Sequence, residues 1–135
     1  MTAPHSTYPK VMVIDDNPID LYIATKLLKN NHFAQEIQAY NAAGKALDYL
    51  KAHCQHTESL PQVILVDIYM PEMSGFEFME AYDLLPDSLK QNCKVYIVSS
   101  SIDSKDIVRA NEDKNVIAFR EKPLTKEFLD EIAAA

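Results

Sequence analysis

No part of this chain constrains its fold more than the stretch Val63-Ile64-Leu65-Val66-Asp67-Ile68-Tyr69-Met70-Pro71. A continuous apolar run of strand-forming residues, closed by a carboxylate and then a proline, reads as a strand buried on both faces, as in a parallel sheet. Asp67 then stands at the strand's carboxyl end, the edge on which open α/β sheets place their ligands. Taken alone, an Asp in this place is equally a turn cap, and the meaning of Asp67 depends on what else reaches the same edge.

The rest of the chain supplies the alternation that a parallel sheet needs. Val11-Met12-Val13-Ile14 predicts a first strand ending in Asp15-Asp16. Asn17-Pro18 then opens a helix to about Asn30, with Asn as N-cap, Pro at the first helical position, Asp20 in the first turn, and Ile19, Ile23 and Leu27 as its apolar stripe. Residues 35–40 alternate polar with apolar and predict a half-exposed edge strand. Asn41 is placed to cap a second helix that packs through Ala43, Ala46, Leu47 and Leu50. A polar loop covers His53–Ser59. A third helix from about Gly75 uses Phe76, Met79 and Tyr82, and Pro86 closes it. Lys94–Val98 predicts a fourth strand running into Ser99-Ser100-Ser101, and Asp103 with Asp106 starts a fourth helix in capping-box fashion. Asn115–Phe119 predicts the fifth strand, and Leu124, Phe128, Leu129 and Ile132 stripe a last helix. Five strands alternating with five helices imply βαβ units and right-handed crossovers, in a doubly wound α/β fold with a five-stranded parallel sheet. Residues 1–9 read as a frayed lead-in and residues 10–135 as one domain.

The totals exclude several function classes. Two glycines among 135 residues, with neither GxGxxG nor GxxxxGK[ST], leave no glycine-rich phosphate loop. A net charge of −7 argues against a nucleic-acid partner, which needs a basic patch. Cys54 and Cys93 form no CxxC, so they read as buried thiols suited to a reducing cytoplasm. His53 and His56 are too few for a metal site and belong to a polar helix end. No apolar run is long enough for a membrane span or a signal peptide, so the expected setting is cytoplasmic, with no membrane partner.

What converges on the shared edge is informative. Strand one delivers Asp15 and Asp16, strand three Asp67, strand four a run of serines, and strand five Lys122 before Pro123. Three carboxylates packed together repel one another and call for a cation. Oxygen ligands with open positions suit Mg²⁺, which keeps several waters and takes phosphate oxygens beside one or two carboxylates. A lysine opposite that metal holds a phosphoryl oxygen, and a serine hydroxyl donates to another. The set is built to accept phosphate on a carboxylate, with Asp67 as nucleophile. The plain alternatives are that Asp15 and Asp16 only cap the first helix and that Lys122 is a solvated lysine.

Asp15-Asp16, Asp67 within VDIYMP, the serine after strand four and Lys122-Pro123 together resemble the receiver domain of two-component response regulators, over about residues 10 to 132. The resemblance implies a flavodoxin-like strand order of 2-1-3-4-5. It makes Asp67 the phosphoacceptor, Asp16 a direct Mg²⁺ ligand, Asp15 a ligand acting mainly through water, and the main-chain carbonyl of Tyr69 the third protein ligand. Ser99 becomes the switch hydroxyl, with Ser100 the alternative, and Lys122 the phosphate-contacting lysine. Phe119 becomes the aromatic whose rotamer reports activation, or else a core aromatic with no switching role. The implied phosphate source is a histidine kinase or phosphotransfer protein, and the implied output is an unknown protein bound through helix four, strand five and helix five. The resemblance also implies self-catalysed phosphorylation and dephosphorylation within a signalling domain that is not otherwise an enzyme.

The departures from the family pattern are Tyr69 beside the acceptor, Ser101 two past Ser99, and Lys114-Asn115 where Gly-Ala is usual, with Asn suited to a left-handed turn. The short alanine-rich end suggests a receiver cut from a longer protein. Two rivals remain. One is a hydrolase or phosphomutase with an Asp nucleophile, which would want a carboxylate where Tyr69 stands. The other is a scaffold of the same fold that is never phosphorylated.

Overall fold

A computed structural model describes residues 7–100 and 103–134. Five strands, β1 (Tyr8–Ile14), β2 (Ala34–Tyr40), β3 (Val63–Val66), β4 (Lys94–Ser99) and β5 (Val116–Glu121), form one sheet of order β2-β1-β3-β4-β5. Every neighbouring pair is parallel. The helices are α1 (Pro18–Asn30), α2 (Ala43–Ala52), α3 (Gly75–Asp83), α4 (Asp87–Asn92), α5 (Ser104–Glu112) and α6 (Lys126–Ala134), with a 3₁₀ turn at Thr57–Ser59.

Strand alternation sorts the core into two layers. Val11, Val13, Val63, Leu65, Tyr96 and Val98 face α1 and α6, where Ala24, Leu28, Phe128, Leu129 and Ile132 are buried. Met12, Ile14, Ile64, Val66, Val95 and Ile97 face the other side and pack under α2, α3 and α4. The inner strands are therefore apolar on both faces where the two layers meet, and all of β3 is buried.

The structure corrects six local expectations. The buried face of α1 is Ala24 and Leu28, whereas Ile19 (68 % exposed), Tyr22 (62 %) and Ile23 (45 %) point to solvent. A rival stripe one residue further along the helix has the same i, i+4 spacing, and the packing uses that one. α2 has Ala42 at its N-cap with no side-chain cap, and Asn41 instead accepts from Lys45. Pro86 does not simply close α3, because it begins the short α4, which buries Leu89. Asn115 is not left-handed: its N–H is held by Asp113 and its amide donates to Asp83. β1 starts at Tyr8, inside the expected lead-in, because the Thr7 and Tyr8 N–H groups bond to His32 and Phe33. Residues 1–6 of that lead-in, Ser101, Ile102 and Ala135 lie outside the described residues. Both cysteines are free and half-buried rather than core. No described helix is long and apolar enough to cross a membrane.

Candidate functional site

All five strands run the same way, so their carboxyl ends share one edge, and the backbone there is pinned strand to strand. Asp15 N–H bonds to Tyr40 C=O at the end of β2, and Asp67 N–H bonds to Ile14 C=O at the end of β1. Lys122 N–H bonds to Ser99 C=O at the end of β4. These bonds bring together side chains far apart in sequence. Carboxylate oxygens of Asp15, Asp16 and Asp67 lie within 4.8 Å of one another.

α3 approaches this edge as closely as its backbone allows. Ser74 and Glu77 form a reciprocal capping box, and Gly75 N–H donates to Ile68 C=O at 2.7 Å. A Cβ on Gly75 would run into the carbonyl oxygen of Asp67. Glycine is required here for close approach, since Gly75 does not adopt a positive φ.

Lys122 enters the carboxylates from β5. Its ammonium donates to Asp15 at 2.6 Å and to Asp20 at 3.1 Å, and lies 3.5 Å from Asp67. Burial alone would lower its pKa, but the bonds to Asp15 and Asp20 and the charge of Asp67 hold it above the usual lysine value. Asp67 moves the other way from an ordinary carboxylate. Its burial raises it most, Lys122 opposes that, Asp15 adds to it, and the result is about 6. Even with a lysine beside it, the buried Asp67 carboxylate is short of positive charge, as expected of a site for a cation.

Ser99 is fully buried, and alternation from Ile97 places it in the α2/α3 layer. Ser100 follows the parity of Val98 and lines the cleft with Asp16, Asp20, Asp67, Tyr69 and Lys122. Tyr69 is 55 % exposed at the rim, and its hydroxyl donates to Asp106 in the first turn of α5. Asp106 therefore ties α5 to the loop after β3, and Asp103 caps α5 by accepting from the N–H of Lys105 rather than through the expected capping box with Asp106. Phe119 is half-buried against the α2/α3 layer. His53 does nothing at this edge; it stacks on Tyr49 and bonds to that residue's carbonyl.

Sequence reasoning passed over one participant. Asp20 was only a first-turn acid, and its bond to Lys122 joins elements far apart in the chain. Of the two serines that the sequence offered, Ser100 lines the cleft and Ser99 is buried at the end of β4. The tie between Tyr69 and Asp106 had no sequence signal, since it depends on where α5 settles.

Comparison with known proteins places this edge in context. The sequence pattern described as "Response regulator receiver domain" matches residues 11–134. A response regulator receiver protein from Dyadobacter fermentans DSM 18053 superposes with a TM-score of 0.82 at 31% identity, over 91% of this chain and 93% of that one. A two-component response regulator from Cytophaga hutchinsonii gives 0.84 at 26%, over 94% and 97%. The two-component response regulator ORR1 of Oryza sativa subsp. japonica is 29% identical over 102 residues, 74% of this chain and 43% of that protein. The chain thus spans less than half the length of that relative.

Proposed function

Since the chain belongs to the response regulator receiver domain family, we propose that Asp67 is its phosphoacceptor and that the carboxyl edge of the sheet carries the transfer. The observation that carries this reading is the convergence of Asp15, Asp16 and Asp67 within 4.8 Å, with the ammonium of Lys122 among them. In the transfer, an Asp67 carboxylate oxygen attacks phosphorus in line. The P–N bond to a donor histidine breaks, and its electron pair returns to the imidazole. The Lys122 ammonium meets charge on the phosphoryl oxygens, and a serine hydroxyl at the end of β4 donates to one of them: Ser99, or its neighbour Ser100, which lines the cleft.

The oxygen-only donor set fits a hard divalent cation, Mg²⁺ by preference. Asp16 and Asp67, the Tyr69 carbonyl, and Asp15 through water would hold it. When bound, it supplies charge neutralisation for the transferring group.

The donor is a histidine kinase or phosphotransfer protein, and the exposed Ile19, Tyr22 and Ile23 beside the cleft offer it an apolar landing face. The switch runs through Phe119 and through α5, which Tyr69 joins to the site, to a surface of α5, β5 and α6 where Val108 and Ile117 are half exposed. An unidentified output protein binds there. The setting is the cytoplasm, and hydrolysis of the acyl phosphate is self-catalysed.

Intact mass after incubation with Mg²⁺ and acetyl phosphate tests the reading. One phosphoryl group on the wild type and none on Asp67→Asn is expected. No adduct on a folded wild type, with a radiolabelled trial excluding rapid turnover, leaves the scaffold reading. An adduct that survives Asp67→Asn puts the nucleophile elsewhere.

A further inference from the structure

Lys122 has three ammonium protons and three carboxylates around it, and those carboxylates do not share one fate. Asp15 accepts at 2.6 Å and Asp67 lies at 3.5 Å, but both belong to the acidic group fit for a metal ion. Asp20 accepts at 3.1 Å and stands outside that group. Its side chain is 35 % exposed, against 6 % for Asp15 and 10 % for Asp67. Asp20 therefore covers Lys122 from the solvent side, while the other two flank it from within.

We infer that Asp20 is a positioning residue for phosphoryl transfer: from the first turn of α1 it holds the Lys122 ammonium over Asp67 once Asp15 and Asp67 have turned to the cation and the incoming phosphoryl group. This rests on the receiver reading above. Asp20 touches neither the phosphoryl group nor the cation, and it acts only through Lys122. A flexible four-carbon lysine that loses Asp15 to a cation has no other described carboxylate to hold it in place. Its charge would then swing between the cleft and solvent, and misplacement of a catalytic charge costs rate rather than binding. The two residues are held on separate elements, α1 and the end of β5, so the contact also sets how α1 sits over the cleft.

The experiment measures the initial rate of phosphoryl uptake from acetyl phosphate at saturating Mg²⁺, and Mg²⁺ affinity by calorimetry. The proteins compared are wild type, Asp20→Asn, Asp20→Glu, Lys122→Ala and the Asp20→Asn/Lys122→Ala double variant, with folding checked by circular dichroism. Asp20→Asn is expected to slow uptake about tenfold while Mg²⁺ affinity stays within about threefold of wild type, because Asp20 lies outside the cation's carboxylates. Asp20→Glu restores most of the rate. In the double variant the two losses do not multiply, and its rate equals that of Lys122→Ala.

An Asp20→Asn protein as fast as wild type or faster overturns the inference. So does multiplication of the two losses, and so does a collapse of Mg²⁺ affinity, which would make Asp20 a metal ligand. A wild type that takes up no phosphoryl group overturns the receiver reading itself, and this inference with it. If wild type is phosphorylated and Asp20→Asn is unaffected, only the inference fails.

Discussion

Two lysines with equally buried side chains, each 14 % exposed, sit at opposite edges of the sheet. Lys10, in β1 toward the amino edge, donates to the Tyr49 hydroxyl at 3.2 Å and the Ser59 carbonyl at 3.1 Å. Its only ionic partner among the described residues is an exposed Glu36 at 3.5 Å. Lys122, at the carboxyl edge, is surrounded by Asp15, Asp20 and Asp67, with Asp16 close by. Burial lowers the pKa of both, and in both the partners more than reverse it. What separates them is charge balance. One positive charge among neutral acceptors and a single exposed carboxylate is a finished structural contact. One positive charge among four carboxylates leaves negative charge over, and that surplus marks a place for a ligand.

The largest effect expected from this contrast is at Gly75, where the carboxyl edge has no room. Gly75→Ala drives a methyl group into the Asp67 carbonyl, so α3 or the end of β3 must shift. The cost expected is about 3 kcal/mol of unfolding free energy, at the upper end for overpacking because the clash is with backbone. Phosphoryl uptake should fall with it. Gly44, the other glycine, has nothing within 4 Å of a built Cβ. Gly44→Ala should stabilise by about 0.5–1 kcal/mol as a helix propensity gain and leave uptake unchanged. Chemical denaturation beside the phosphorylation assay reads both. Equal effects at the two glycines would mean that the edge is not tightly packed.

The next test exchanges the lysines' roles. Lys10→Met should lower stability by about 2 kcal/mol, since the Tyr49 hydroxyl and Ser59 carbonyl lose a charged donor, with Mg²⁺ affinity unchanged. Lys122→Ala should do the reverse for the cation. It removes a positive charge 2.6 Å from one carboxylate of the acidic group and 3.5 Å from another, so Mg²⁺ binds several-fold more tightly. In metal-free buffer the uncovered carboxylates repel and the protein melts lower, and Mg²⁺ reverses the loss. A calorimetric titration in which Lys122→Ala binds Mg²⁺ no better than wild type would break the charge-balance account.

A smaller effect follows from Asp67, whose pKa in the folded, metal-free protein is about 6. The unfolded chain releases that proton near the ordinary value of 3.8. Between these values the folded state binds the extra proton, so stability falls as pH rises through this window. Asp67→Asn removes the penalty. It should stabilise metal-free protein by about 1–2 kcal/mol at about pH 7.5, less than the full shift implies because the pairing with Lys122 is lost too. Below about pH 4, where Asp67 is protonated in both states, the gain should disappear. Thermal melts across pH with a chelator present check the sign, and a gain that persists at low pH would assign it to packing.

The sequence showed β3 and the inner halves of β1 and β4 clearly, because buried parallel strands are apolar there, and the acids that end β1 and β3 stand out against them. It was weaker where two solutions share one period. Ile19-Ile23-Leu27 and Ala24-Leu28 both satisfy helix spacing, and only docking on β1 and β3 chooses between them. It was silent where contacts join elements that are remote in the chain, as Tyr69 does with Asp106 and Asp20 with Lys122.

The smallest expected difference concerns two non-glycine residues with positive φ, one toward each edge: His32 at 50° and Glu72 at 67°. His32 follows the C-cap of α1, where Phe33 N–H bonds to Leu28 C=O and His32 N–H to Lys29 C=O, a Schellman closure that favours glycine. Glu72 centres a three-residue turn, with Met73 N–H on Pro71 C=O at 2.7 Å, in the strained sense of that turn. His32→Gly should raise stability by about 0.5–1 kcal/mol, the relief of the left-handed Cβ outweighing the entropy glycine adds to the unfolded chain. It should leave Mg²⁺ affinity alone, since the loop before β2 touches no carboxylate. Glu72→Gly relieves the same strain but loosens the loop that carries the Tyr69 carbonyl. It should gain no more than about 0.5 kcal/mol and weaken Mg²⁺ binding about twofold, as a ligand held less firmly does. If both variants gain equally and neither touches Mg²⁺ affinity, the loop after β3 is as purely structural as the one before β2, and the Tyr69 carbonyl has no claim as a ligand.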